Sequence, residues 1–62
     1  MTVFDVNAWR DGDWWMVSIP QIDGLTQARN LAEVEPMARS YVAIDLDIRP
    51  SGFALRLLPI SN

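Results

Sequence analysis

The chain contains no cysteine, no histidine and no lysine, and only three glycines in 62 residues. The missing cysteines exclude a disulfide framework. Without cysteine and histidine together, a zinc site has no suitable ligand set, since zinc prefers thiolate and imidazole. The same absences remove the usual nucleophile-and-base pairs of hydrolases. No apolar run reaches the roughly 20 residues that span a bilayer. The start, Met1-Thr2-Val3-Phe4-Asp5, lacks the basic end and apolar stretch of a signal peptide. The expectation is a cytoplasmic protein with no membrane contact and no cofactor.

Charge is scarce on one side. Five arginines face eight acidic residues, giving a net charge of −3. An acidic chain repels phosphate backbones, so direct nucleic-acid binding is not expected. A basic partner surface fits better, because opposite potentials steer encounter. Arginine without lysine also fits a GC-rich genome. Half of the residues are hydrophobic, while a domain of this size buries only about 60% of the surface its unfolded chain exposes. With disulfides and metals set aside, oligomerisation is the remaining aid. Some apolar surface should therefore lie at an interface.

The sequence reads as one domain over residues 1–62, with no linker or repeat. Phe4, Val6 and Ala8 alternate with Asp5 and Asn7, the pattern of a half-buried strand. Asp11-Gly12 suits a two-residue type I′ turn. That turn pairs Ala8 with Trp15, Val6 with Val17 and Phe4 with Ile19 on one face. The opposite face pairs Trp9 with Trp14, Asn7 with Met16 and Asp5 with Ser18. Pro20 ends the second strand. Asp23-Gly24 turns the chain into a third strand, Leu25 to Arg29.

Asn30-Leu31-Ala32-Glu33 has the form of a capping box, in which Glu33 reaches back towards the cap. Leu31, Val34, Ala38, Tyr41, Val42 and Ile48 follow at helical spacing as a buried stripe. Pro36 costs about 3 kcal/mol in a helix interior, and a helix beginning at Pro36 would avoid that cost. We read the earlier start, with a loosened first turn. Met37 and Ile44 form a second apolar line, either a contact surface or part of a wide buried face. Arg49-Pro50-Ser51-Gly52 stops the helix. Phe53 to Ile60 makes a fourth strand, with Phe53, Leu55 and Leu57 inward. The expected fold is an α+β two-layer β-β-β-α-β sandwich. A right-handed crossover places the last strand beside the first, giving sheet order 3-2-1-4 with the helix on one face.

No catalytic arrangement emerges. Asp11 and Asp13 flank a turn glycine and read as a solvated turn. Glu33 and Glu35 favour the start of a helix and its dipole. Asp45 and Asp47 lie late in the helix, where the dipole disfavours acids, so either a solvated face or a basic partner accounts for them. The outward aromatics carry more information. Trp9, Trp14 and Met16 share the face away from the helix, and Arg56 could stack on an indole there. Such residues are enriched in interface cores.

The run Trp15, Val17, Ser18, Pro20 and Gly24, followed by Thr26-Gln27, a capped helix and a last strand, resembles the HicB antitoxin family. The resemblance spans about Phe4 to Ile60. It implies a β-β-β-α-β, partial ribonuclease-H-like fold. It also implies a type II toxin–antitoxin role, in which the antitoxin masks a small basic mRNA-cleaving toxin, and it implies homodimers or higher homo-oligomers. Asn30 stands where the family usually has a capping threonine. The family's usual C-terminal DNA-binding segment has no counterpart in these residues, so operator binding is not carried over.

The expectation is therefore a non-enzymatic, protein-binding module. Trp9, Trp14, Met16 and Arg56 are the expected sheet-face contacts. Glu33, Glu35, Asp45 and Asp47 are the expected steering charges, with no catalytic, cofactor or metal residues. The alternative is an orphan or viral self-assembling module whose exposed sheet or edge serves its own dimer or another partner. A degenerate magnesium nuclease fits poorly, because this topology does not converge the four carboxylates.

Overall fold

A computed structural model describes residues 1–59. The elements are β1 (Val3–Asp11), β2 (Trp14–Ile19), β3 (Gly24–Ala28), α1 (Leu31–Leu46) and β4 (Ala54–Leu57), with a single 3-10 turn at Pro20–Ile22 between β2 and β3. The four strands form one mixed sheet in the order β3-β2-β1-β4. β1–β2 and β2–β3 are antiparallel, while β4 lies parallel to β1. The α+β two-layer arrangement and the 3-2-1-4 order are as the sequence implied. No helix among the described residues is long and apolar enough to cross a membrane.

Strand alternation decides which face meets α1. Phe4, Val6 and Ala8 of β1, Val17 and Ile19 of β2, and Ala28 of β3 are buried. They meet Val34, Ala38 and Val42 from one side of α1, and Phe53 ahead of β4. Each fully buried valine or isoleucine removes apolar surface worth about 1.5–3 kcal/mol from water. The Phe4 and Phe53 rings pack edge to face, 5.6 Å between centroids and 89° between planes. Arg39 then ties the connection after α1 to the core. Its guanidinium lies 5.1 Å from the Phe53 ring centroid. Its Nη1 donates to the Phe53 carbonyl at 3.1 Å and to the Pro50 carbonyl.

The hairpin register differs from the expectation by two residues. Asp11 pairs with Trp14, Arg10 with Trp15, Trp9 with Met16 and Ala8 with Val17. The turn residues are Gly12 and Asp13, not Asp11 and Gly12. Gly12 has φ +62° and Asp13 does not share a positive φ. That is the type II′ pattern, which wants glycine at its first central position, whereas type I′ needs positive φ at both. A slip of two residues leaves every side chain on its expected face. It also sets the Arg10 guanidinium 5.8 Å from the Trp15 ring centroid.

The helix starts at Leu31 after the Asn30 cap, with Pro36 inside, as the capping-box pattern implies. Asn30 Oδ1 accepts from the Glu33 amide at 3.1 Å. Glu33 Oε1 accepts from the amide of Arg29 at 3.0 Å, one residue beyond the cap amide a standard box would use. At the other end Asp47 adopts φ 53°. The Ile48 amide bonds to Ala43 O at 3.0 Å and the Asp47 amide to Ile44 O at 3.4 Å, the two bonds of a Schellman cap. The helix therefore ends at Leu46, before the Arg49-Pro50 signal.

The buried stripe is correspondingly shorter than expected. Ile48 lies beyond the cap and is exposed. Met37 and Ile44 face solvent, Ile44 with 82% of its surface exposed, so α1 has no wide buried face. Leu31 and Leu57 are exposed too. Their common cause is the length of β4, which pairs with β1 only along Val3–Val6. Among the described residues no strand runs beneath Leu31 to cover it. Leu31, Leu57, Val6, Ala8, Val34, Leu58 and Pro59 instead line a recess of about 480 Å³. Of the expected strand Phe53 to Ile60, Phe53, Leu58 and Pro59 fall outside β4, and Ile60 lies outside the described residues.

Candidate protein-binding face

Because α1 packs on one side of the sheet, the alternate residues of every strand point to the other side. β1 supplies Asp5, Asn7, Trp9 and Asp11, and β2 supplies Trp14, Met16 and Ser18. Leu25 and Gln27 of β3 continue the same face beside Ser18 and Met16, and Arg56 of β4 closes it beside Asp5. No described element covers this face.

The face has an apolar patch and a charged margin. Trp9 stands directly across from Met16 and diagonal to Trp14. Trp14 is 44% exposed and Leu25 55% exposed, while Trp9 and Met16 are half-buried. Gln27 Nε2 lies 3.7 Å from the Met16 sulfur, joining β3 to the patch. The ring pair found among the described residues is Phe4–Phe53, so the two outward tryptophans do not stack on one another. Trp15, the other half of the doubled tryptophan, packs against the core.

Arg56 does not stack on an indole. Its Nε donates to Asp5 Oδ1 at 2.7 Å. The hydrogen bond from Arg56 holds the Asp5 carboxyl below the usual aspartate range, and the same bond raises the guanidinium. Arg56 thus marks the β4 margin of the face, with its charge already matched.

The four helix acids fall into two separate groups. Glu33 is half-buried and occupied with capping, and Glu35 is exposed nearby. Asp45 and Asp47 are exposed at the far end, where Asp47 also carries the left-handed cap. The rise along a helix puts the two groups about 18 Å apart. Among the described residues no three acidic side chains gather closely enough to hold a metal ion. What the helix offers is dispersed negative potential rather than a site.

Sequence reasoning missed the β3 end of the face. Trp14, Thr26, Gln27, Arg29, Glu33 and Met37 line a groove of about 620 Å³ where β3 meets the start of α1. Leu25, Gln27 and Arg29 alternate in step with Trp14, Met16 and Ser18, and that signal was available. The fold and this face together define an α+β two-layer module with an uncovered aromatic sheet. Comparison with protein-family models, curated proteins and solved structures finds no match.

Proposed function

We propose that this chain is a non-catalytic protein-binding module of the antitoxin type, which neutralises a small basic mRNA-cleaving toxin by lying over it. One observation carries the reading: the sheet face opposite α1 is uncovered and bears Trp9, Trp14, Met16 and Leu25 together. Large amphipathic side chains at the centre of a face, with polar groups around them, are the usual makings of an interface hot spot. The net charge of −3 favours a basic partner. The β-β-β-α-β order implied by the HicB resemblance agrees with the architecture. Glu35, Asp45 and Asp47 speed encounter in this reading, and Glu33 serves the helix cap instead.

The test is to look for a small basic polypeptide encoded beside this chain and to co-express the two. Growth rescue and a complex surviving gel filtration are expected. Trp14→Ala should weaken that complex by about 2 kcal/mol or more, roughly thirtyfold. If Trp9→Ala and Trp14→Ala each leave affinity unchanged, the sheet face is not the binding surface.

A further inference from the structure

The direction of the main-chain groups can be followed across the sheet. Thr2 O and Val6 O accept from Ala54 and Leu58, so even-numbered residues of β1 face β4. Odd-numbered residues of β1 therefore face β2, and their partners Trp14, Met16 and Ser18 face back. Trp15, Val17 and Ile19 then face β3, bonded to Ala28, Thr26 and Gly24. The amides and carbonyls of Leu25 and Gln27 are left pointing away from the sheet. The next odd residue confirms the direction, since the Arg29 amide points outwards and is taken by Glu33. Among the described residues nothing pairs with Leu25 or Gln27 along this edge.

Natural edge strands are commonly blunted by lysine, proline or a bulge. β3 has none of these: its sequence is Gly-Leu-Thr-Gln-Ala and its ladder with β2 is unbroken. Leu25 is more than half exposed on it.

We propose that β3 pairs antiparallel with β3 of a second copy, about a two-fold axis at Thr26, so that two sheets become one. In this register Leu25 faces Gln27 of the other copy twice over. All four free main-chain groups of each strand segment are used, and the Glu33 cap on Arg29 stays in place. Thr26 meets its own counterpart on the helix side of the sheet, a favourable cross-strand pair. Ala28 falls opposite Gly24, two small residues. By register Arg29 falls opposite Asp23, the left-handed residue just ahead of β3, so opposite charges lie at both ends of the pairing. The two other free stretches of edge, the outer side of β4 and Ala8 and Arg10 of β1, lack this match: an axis at Arg56 of β4 would set two arginines against one another. A two-fold axis at Trp9 would set Asp5 against Asp13, and β4 already occupies the edge along Val3–Val6.

This assembly uses the β3 edge and is independent of toxin binding by the sheet face, so either can fail alone. The absence of cysteine permits a clean test. Directly opposed residues outside the hydrogen-bonded pairs of an antiparallel ladder have Cα atoms about 4.5 Å apart, within the roughly 4.4–6.8 Å a disulfide spans. Thr26→Cys should oxidise to a linked dimer much faster than Leu25→Cys or Gln27→Cys. By light scattering the unaltered chain should have twice the 7.0 kDa mass of one copy. Arg29→Asp should raise the dimer dissociation constant roughly tenfold, and adding Asp23→Arg should reverse that loss, with circular dichroism reporting that each variant is folded. A monomeric unaltered chain overturns the proposal. So does a dimer in which Thr26→Cys links no faster than its neighbours, or one dissociated by Trp14→Ala and indifferent to Arg29→Asp.

Discussion

A β-carbon on Gly24 would stand 2.6 Å from Cε1 of Tyr41. Gly24 opens β3 under α1, and the helix comes this close because the strand offers no side chain there. The backbone of Gly24 is not in the left-handed region, so the requirement is space and not φ. Gly24→Ala should therefore destabilise the fold by about 1–3 kcal/mol, the usual range for overpacking. Tyr41→Leu in the same background should recover part of the loss. A double-mutant cycle by chemical denaturation reads the coupling.

The hairpin turn makes a sharper test. Gly12 has φ +62° with open space around its α-carbon. Gly12→Ala should cost about 1 kcal/mol from backbone strain alone. Asp11 is a strand residue opposite Trp14, so Asp11→Thr should be neutral or slightly stabilising. Were the turn Asp11-Gly12, the Asp11 change would be the costly one. Thermal unfolding of the two variants separates the cases.

Pro36 interrupts the hydrogen-bond ladder of α1 on its exposed side. Pro36→Ala supplies the missing donor to the Ala32 carbonyl. It should raise stability by about 1–3 kcal/mol, seen as a higher denaturant midpoint with an unchanged slope. If that gain is accompanied by a loss of partner binding, the proline shapes the start of the helix for recognition.

The Asp5–Arg56 pair predicts an acid limb. Asp5 has its carboxyl held below the usual aspartate range, chiefly by the hydrogen bond from Arg56. Its stabilising effect is fully present above the unfolded-state value and is lost as pH falls through the folded one. Arg56 is open to solvent and Asp5 half-buried, so the effect should be modest and should shrink with added salt. Asp5→Asn should flatten the fall in stability at acid pH relative to the unaltered chain and leave the neutral-to-alkaline range level. Denaturation midpoints at stepped pH provide the measurement.

Much of this fold was legible because period-two alternation and helical spacing are separate signals. Phe4, Val6, Ala8, Val17 and Ile19 announced the inner face, and Val34, Ala38 and Val42 announced its cover. The error of two residues in hairpin register was invisible to that pattern, since both registers keep Trp9, Trp14 and Met16 outside. Only the backbone of Gly12 distinguishes them. The helix end was hidden for another reason: Asp47 takes the left-handed position usually given to glycine. Leu31 and Ile48 were spaced like core residues, but burial depends on whether a strand lies beneath them, and β4 is too short to reach Leu31. Arg56 was placed on the correct face and given the wrong partner, because Asp5 lies beside it only once β4 pairs with β1.

That pairing has a consequence for how the chain folds. β1 is an interior strand, yet one of its two neighbours comes only after α1, far along the chain. Asp5 and Arg56 are separated by 51 positions, and Phe4 waits as long for Phe53. β1, β2 and β3 can form a meander from local contacts, whereas closing the long loop to β4 is the slow, entropically costly step. Until it occurs, both flanks of the three-stranded sheet are open to other chains. The vulnerable species is therefore a chain in which β4 has not yet docked, and any factor that delays Ala54–Leu57 lengthens its exposure.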